Sequence, residues 1–98
     1  MISRQWKGIA RTSEADHYVR HLREETFPRL ARIEGFLRAS ILRRDVSDGV
    51  EFLIVTEWQS RDAIRAFAGD AIDVAVVPDN VQAMMVTFDR TVAHYDVL

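Results

Sequence analysis

The chain has 98 residues, a net charge of −2 and no cysteine. This length predicts one domain over residues 1–98, since two halves would each be too small to bury a sufficient core. The absence of cysteine excludes disulfides and thiolate chemistry, and the slight acidity gives no electrostatic reason to expect nucleic acid as a partner. No apolar run approaches a membrane span and the N-terminus lacks the order of a signal peptide, so we expect a cytoplasmic protein with no membrane partner.

A strand and a helix open the chain. Residues 2–11 have the alternating pattern of a strand. Ser13 and Asp16 then form a capping-box-like pair, which predicts the start of a helix. The apolar residues that follow recur at helical spacing and define its inner stripe. Pro28 cannot donate an amide hydrogen bond, so we expect the helix to kink or restart near Phe27.

The middle of the chain predicts a hairpin of two strands. Residues 36–44 form the second strand, whose arginines indicate an edge or a charged flank. A short polar loop leads into the third strand at residues 50–59. Successive side chains of a strand point to opposite faces, which places Phe52 on one face and Leu53 and Val55 on the other. Because the third strand is apolar on both faces, both faces must be covered.

A second helix and a last strand complete the predicted elements. Ser60 is placed to cap the helix, and residues 78–83 favour one further helical turn. Residues 84–98 predict a single long strand on which His94 and Tyr95 face opposite sides. The order β-α-β-β-α-β is the split-βαβ, ferredoxin-like plan, an α+β fold in which helices cover one face of an antiparallel sheet.

The second face of this sheet predicts an assembly. In the ferredoxin-like topology the first and third strands are central, which agrees with the two apolar faces of the third strand. The helices of the chain can cover only one face. Burying the other against a second sheet would form an interface of the standard size, about 1,200 to 2,000 Å². We therefore expect a homodimer with the two sheets face to face.

A family resemblance rests on the end of the third strand, the start of the next helix and a pair on the last strand: Glu57-Trp58, Ser60-Arg61-Asp62-Ala63 and His94-Tyr95. Together with the element order over nearly the whole chain, these residues resemble the antibiotic biosynthesis monooxygenase family. The resemblance implies a dimeric α+β barrel, and some members oxygenate electron-rich aromatic polyketides without metal or flavin. Many others have no assigned substrate, so the resemblance implies a scaffold before it implies a reaction.

A haem-degrading branch of the same superfamily differs from this chain at each of its functional positions. That branch uses an asparagine on the first strand, a tryptophan late in the second helix and a histidine just beyond it. Here the only asparagine is Asn80, the late-helix aromatic residue is Phe67, and no histidine lies between His21 and His94. We expect no haem chemistry, because the iron would lack an axial ligand.

Three residues are candidates for a site. His94 is the candidate catalytic residue, because an imidazole exchanges protons near neutral pH and this one follows Val92 on the inner face of a core strand. A histidine at the sheet edge, hydrogen-bonded to the backbone, is the alternative. Trp58 and Phe67 are candidate substrate-binding residues that would wall an aromatic pocket, although large apolar residues of a core more often serve packing alone.

No metal site is predicted. His17 and His21 have the i, i+4 spacing of two ligands on one helix face, but His17 points away from the inner stripe and His21 lies at its flank. A solvated helix face accounts for both. The sequence also lacks a nucleophilic serine elbow and a phosphate-binding glycine loop.

If the protein is an enzyme, the few titratable residues favour chemistry in which the substrate does much of the work, and the family resemblance implies an oxygenation of this kind. A phenolic or enolic substrate would enter between the sheet and the helices, His94 would take or direct its proton, and the electron-rich anion would react with oxygen. We expect no cofactor; the partners would be a small apolar or aromatic molecule and a second copy of the chain. The competing hypothesis is a noncatalytic dimer that binds a small apolar molecule or serves as an interaction module. An enclosed cavity shared by His94 and Trp58 would favour the enzyme, and a filled core the alternative.

Overall fold

An antiparallel sheet with helices on one face is the architecture of the chain, as a computed structural model describes it over residues 1–98. This is the predicted α+β arrangement. The elements in chain order are β1 (Ile2–Ala10), a 3-10 turn (Thr12–Glu14), α1 (Ala15–His21), a π-helical turn (Leu22–Thr26), α2 (Phe27–Leu30), β2 (Phe36–Val46), β3 (Gly49–Trp58), α3 (Arg61–Ala68), α4 (Asp79–Met84), β4 (Met85–Phe88) and β5 (Ala93–Asp96). None of the helices has the length and apolar composition needed to cross a membrane.

The sheet has β1 and β3 at its centre, as predicted. Its strand order is β2-β3-β1-β4, and β5 pairs with β1 as well, further along the same edge. The β1–β3 ladder is continuous from Ile2 opposite Trp58 to Ala10 opposite Val50. All pairs are antiparallel, so the inner side chains of neighbouring strands lie in rows across the sheet.

The prediction of one continuous strand over residues 84–98 is wrong, because the strand is interrupted between β4 and β5. Residues at the interruption form hydrogen bonds that a continuous strand could not form. The Trp6 indole donates a hydrogen bond to the Asp89 carbonyl at 2.8 Å. The Val92 amide donates to the Asp73 carbonyl at 2.8 Å instead of joining the sheet. Side-chain and loop hydrogen bonds have thus replaced part of the ladder.

The two predicted helix starts have different outcomes. Ser60 caps α3, since its hydroxyl accepts a hydrogen bond from the Ala63 amide at 3.2 Å. Ser13 forms no capping bond, and the capping-box prediction is wrong. A 3-10 turn occupies that position, in which the Glu14 amide donates to the Arg11 carbonyl at 2.9 Å, so the backbone supplies the acceptor.

The core lies between the helices and the inner face of the sheet, in two clusters. Phe52 and Tyr18 belong to the larger one, between the strands, α1 and α4. Trp58 and Ile64 belong to the smaller one, at the other end of β3. Phe27 packs against both clusters. The junction between two separately packed clusters is where a cavity can form, and the candidate site lies there.

The outer face of the sheet has no cover within the chain. The strand registers place Leu42, Leu53, Val55 and Tyr95 on it, and Leu42 and Tyr95 are exposed. Two cross-strand ion pairs flank this apolar centre, Arg38 with Glu57 and Arg44 with Glu51. We call this surface the outer sheet face.

Candidate active site

A small cavity lies between the inner face of the sheet and the helices. Its volume is about 80 Å³, and it is lined by residues of β1, β3, α1, α2, α3 and the π-helical turn. A second cavity of about 50 Å³ adjoins it and shares several lining residues, Trp6, Tyr18, Thr26 and Phe67 among them. Most of the lining is apolar or aromatic, with a few polar groups, which is the usual composition of a small-molecule site.

The Trp6 indole forms one wall because Gly8 leaves room for it. A Cβ atom at Gly8 would lie only 2.6 Å from the Cη2 atom of Trp6, so the ring lies across the glycine on the same face of β1. The bond from its Nε1 to the Asp89 carbonyl fixes the far edge of the ring. Trp6 also contacts Tyr18, with ring centroids 6.3 Å apart. Two aromatic rings thus form a rigid corner of the cavity.

The π-helical turn forms the opposite wall. The proline ring of Pro28 removes an amide donor just after this turn, and the Phe27 amide bonds the Leu22 carbonyl five residues back. The helix is therefore wider here, as the predicted irregularity near Phe27 requires. Leu22 and Thr26, the first and last residues of the turn, both line the cavity. Single π turns inside α-helices are frequent at functional sites.

Arg4 brings a positive charge to the cavity. The residue is 5% exposed, and burial lowers the pKa of its guanidinium to about 10, a shift that the charge of Asp73 opposes. Arg4 therefore remains a cation at neutral pH. Nη1 donates to the Ile72 carbonyl and lies 3.0 Å from His94 Nε2, and Nη2 donates to the Val74 carbonyl at 3.3 Å. These bonds attach the segment after α3 to the centre of the sheet.

His94 lies behind Arg4 rather than in the cavity lining. An arginine can only donate, so His94 Nε2 accepts from Arg4, and its Nδ1 carries the proton and donates to Asp73 at 3.1 Å. The imidazole side chain is 4% exposed. Burial lowers the pKa of His94, the hydrogen bond to Asp73 opposes that effect, and the charge of Arg4 adds to it. Asp73, His94 and Arg4 form a chain of hydrogen bonds that ends at the cavity.

This pKa shift predicts acid destabilisation through His94. Because the pKa is lowered in the folded state, the unfolded chain binds a proton first as the pH falls. The free energy of unfolding should therefore decrease as the pH falls below about 6.5, the ordinary value for histidine. Urea titrations at several pH values should show a smaller decrease in the His94→Asn variant. The His17→Asn variant is the matched control, since His17 is exposed and bonds only Glu14. An equal decrease in wild type and the His94→Asn variant would contradict the assignment.

Trp58 and Phe67, the two predicted binding residues, lie in different environments. Phe67 lines both cavities, and the guanidinium carbon of Arg4 lies 5.9 Å from its ring centroid. Trp58 is fully buried and lines neither. Its ring stacks near Phe67, with centroids 6.4 Å apart and planes at 23°, and its Nε1 donates to Thr56 Oγ1 at 2.9 Å. Neither His94 nor Trp58 lines the cavity, so the shared cavity that would favour the enzyme is not formed, and Trp58 can affect the cavity only by supporting Phe67.

Sequence reasoning missed Arg4 and Tyr18 as site residues. The available signal for Arg4 was its inward position on a central strand, two residues before Trp6 and on the same face. Tyr18 is one of the residues at helical spacing that define the inner stripe of the first predicted helix, which indicates burial but not a role at a site. The balance of charge was also not foreseen: the two cavities are lined by Arg4, Arg29 and His21 but by no carboxylate.

Comparison with known proteins gives a family match and a set of structural neighbours. The family model described as antibiotic biosynthesis monooxygenase matches residues 9–71. No curated protein sequence matches the chain at a significant level.

Three solved structures are similar to this chain in fold. A provisionally assigned antibiotic biosynthesis monooxygenase from Nitrosomonas europaea has a TM-score of 0.73 at 19% identity, over 100% of this chain and 99% of the other. A provisionally assigned antibiotic biosynthesis monooxygenase from Bacillus cereus has a TM-score of 0.67 at 21% identity, over 98% and 91%. A variant of SnoaB, a cofactor-independent oxygenase from Streptomyces nogalater, has a TM-score of 0.63 at 16% identity, over 98% and 91%.

Proposed function

Because the chain belongs to the antibiotic biosynthesis monooxygenase family, we propose that it is a cofactor-independent monooxygenase acting on a small electron-rich aromatic or enolic substrate. The observation that carries the proposal is an aromatic-walled cavity containing a buried cation that is hydrogen-bonded to a histidine and, through it, to an aspartate. The fold neighbour SnoaB, described as a cofactor-independent oxygenase, gives independent support.

The proposed reaction needs no external reductant. A phenolic or enolic substrate with an acidic C–H bond loses a proton, and the resulting anion transfers electrons to O₂. A carbon–oxygen bond forms, and the peroxide then loses water to leave a carbonyl group. One oxygen atom enters the substrate and the other leaves as water, with all four electrons coming from the two C–H bonds of one methylene carbon.

His94 is the proposed proton acceptor. In the resting chain its Nε2 lone pair accepts from Arg4. A substrate oxygen that binds Arg4 draws the guanidinium away from His94 and frees Nε2, and the Asp73 carboxylate stabilises the imidazolium that forms. The guanidinium of Arg4 meanwhile stabilises the charge that develops on the substrate oxygen.

Phe67 and Trp58 are the proposed substrate-binding pair. Phe67 contacts the substrate ring from the cavity wall, and Trp58 holds Phe67 in place from the core side. Closely packed aromatic walls also exclude water, which would otherwise protonate the reactive anion.

We also propose that the functional unit is a homodimer formed through the outer sheet face. Its apolar centre and its flanking ion pairs support an interface between two copies, because a face of this kind is costly to leave in water. The dimer would place the two cavities on opposite outer sides of the paired sheets, since each cavity lies on the helix side.

The test is oxygen consumption by the purified protein with a panel of single-ring phenols and enols, together with anthrones as tricyclic comparisons. We expect at least one substrate to consume oxygen without added metal, flavin or reductant. With that substrate, His94→Ala should lower kcat by about 10²- to 10⁴-fold, the usual contribution of a general base. His17→Ala, at an exposed histidine outside the cavity, is the control. A fully active His94→Ala variant would remove His94 from the mechanism. Binding of these compounds without oxygen consumption would instead favour a noncatalytic binding protein.

A further inference from the structure

We propose that the cavity recognises a monocyclic oxyanion, a phenolate or enolate whose charged oxygen lies between the Arg4 guanidinium and the Tyr18 hydroxyl. The inference rests on the proposed function in that it names the substrate class of the same site. It adds two claims about binding: the ligand binds in its ionised form, and the ligand has a single ring.

Arg4 has donors left for a ligand. Its guanidinium carries five N–H groups. The carbonyls of Ile72 and Val74 and the Nε2 atom of His94 occupy three of them. The Nε–H and one Nη2 hydrogen have no acceptor within the chain, and no buried side-chain nitrogen or oxygen of the protein is left wholly without a partner. Nε, which has no partner at all, therefore reaches open space, and the space that Arg4 lines is the cavity.

Tyr18 supplies a second donor of the same kind. The residue is 3% exposed, yet its hydroxyl group has no hydrogen-bond partner within the chain. By the same argument the hydroxyl opens onto the cavity that Tyr18 lines. Burial raises the pKa of Tyr18 well above its ordinary value, so the phenol stays protonated and can donate. A buried tyrosine hydroxyl usually has a partner, and here that partner is assigned to the ligand.

The charges around the cavity favour an anion over a neutral ligand. Arg4 is in the lining and Arg29 lines the adjoining cavity, while no aspartate or glutamate lines either one. The charge of Asp73 acts on Arg4, but Asp73 is hydrogen-bonded to His94 and does not line the cavity. Burial by itself would raise the pKa of a bound phenol, as it does for Tyr18. The ligand oxygen, however, meets one buried cation directly and no facing carboxylate, and this charge favours the ionised form.

The size of the cavity limits the ligand to one ring. In another protein, a cavity of about 150 Å³ accommodates one benzene molecule. The two adjoining cavities here have volumes of about 80 and 50 Å³. Together they provide about 130 Å³, slightly less than that cavity, so a single ring requires only a small movement of the lining, whereas a ligand of three fused rings would have to displace Trp6 or the π-helical turn.

Binding of 4-nitrophenol tests the inference without any need for turnover, because its neutral and ionised forms absorb at different wavelengths. We expect the bound form to be the phenolate even at a pH at which free 4-nitrophenol is largely neutral, and the anion to bind at least tenfold more tightly than the neutral analogue 4-nitroanisole. A tricyclic hydroxyanthracene should bind at least tenfold more weakly than the single-ring phenol. Equal binding of 4-nitrophenol and 4-nitroanisole would overturn the charge assignment, and tight binding of the tricyclic compound would overturn the size limit.

Tyr18→Phe is the decisive variant. Its hydroxyl group has no partner within the chain, so the variant should keep the stability of the wild type. The dissociation constant for 4-nitrophenolate should rise roughly 10- to 100-fold, as expected for a hydrogen bond to a charged group. Tyr95→Phe makes the same chemical change at an exposed position on the outer sheet face and should have no effect. Unchanged binding in Tyr18→Phe would overturn the assignment.

The two proposals can fail separately. If 4-nitrophenolate binds as expected but no phenol or enol on the panel consumes oxygen, the anion subsite stands and the monooxygenase proposal fails. The opposite result is also possible. If oxygen is consumed, but Tyr18→Phe binds 4-nitrophenolate as tightly as the wild type and 4-nitroanisole binds as tightly as 4-nitrophenol, the monooxygenase proposal stands and the anion subsite fails.

Discussion

Trp58→Ala is expected to lower the free energy of unfolding by about 3 to 5 kcal/mol, the usual cost of removing a large aromatic side chain from a core. Trp58 is the largest fully buried side chain of the protein. It meets Phe36 edge to face at 5.2 Å and stacks near Phe67. The truncation would leave a cavity among these rings and remove the indole donor to Thr56. Since a domain of this size has only about 5 to 15 kcal/mol of stability, urea unfolding at one temperature should show the loss clearly.

Trp58→Phe distinguishes a packing role from a role at the site. Phenylalanine keeps an aromatic ring beside Phe67 but loses the bond to Thr56, so the loss of stability should be about 1 to 3 kcal/mol. If Trp58 acts by supporting Phe67, 4-nitrophenolate binding should weaken in Trp58→Ala, which removes that support, and should be largely kept in Trp58→Phe, which retains a ring beside Phe67. If Trp58 serves the core alone, binding should stay at the wild-type level. A loss below about 1 kcal/mol in Trp58→Ala would contradict its assignment to the core.

The sheet could be predicted from sequence because local periodicity and burial agree along its central strands. In β3 the inner residues from Val50 to Trp58 are all buried, while the residues between them are only half-buried. That alternation is a property of neighbouring residues, and reading it requires no tertiary information. The third strand is apolar on its inner face and, through Leu53 and Val55, on its outer face as well. This pattern correctly indicated a central strand.

The break in the last strand could not be predicted in this way. Residues on both sides of the interruption keep a strand-like apolar pattern, and the polar run Asp89-Arg90-Thr91 between them is its only local mark. The interruption is held by two distant contacts. Trp6, 83 residues before Asp89, bonds the Asp89 carbonyl, and Asp73, in the segment after α3, accepts from the Val92 amide. The capping prediction at Ser13 fails for a different reason. A backbone carbonyl, that of Arg11, accepts the hydrogen bond that the Ser13 side chain was expected to accept.

The site was partly predictable for the same reason. Strand alternation placed His94 on the inner face and Tyr95 on the outer face, and the structure has them there. The partners of His94 lie 90 and 21 residues away in sequence. Contacts between residues so far apart in sequence leave no local pattern. The contact between Arg4 and His94 depends on the pairing of β1 with β5.

Leu53→Glu is expected to abolish the proposed dimer. Leu53 lies near the middle of the outer sheet face, in a row with Lys7 on β1 and Leu42 on β2. Burying this carboxylate against a second apolar sheet is costly even when Lys7 pairs with it, because both charges lose their water, and a penalty of about 3 kcal/mol or more would raise the dimer dissociation constant at least 100-fold.

The fold of the monomer should survive this substitution, because the new carboxylate lies directly across from Lys7, which is exposed and can pair with it. Sedimentation velocity over a range of concentrations should therefore show a dimer for the wild type and a folded monomer for Leu53→Glu. Ala66→Glu adds the same charge on the exposed side of α3 and should remain dimeric. A monomeric wild type, or a Leu53→Glu variant that dimerises as tightly as wild type, would contradict the assignment of the outer sheet face. Because the cavity lies on the other side of the sheet, a monomeric Leu53→Glu protein that still binds 4-nitrophenolate would further show that each subunit contains a complete anion subsite.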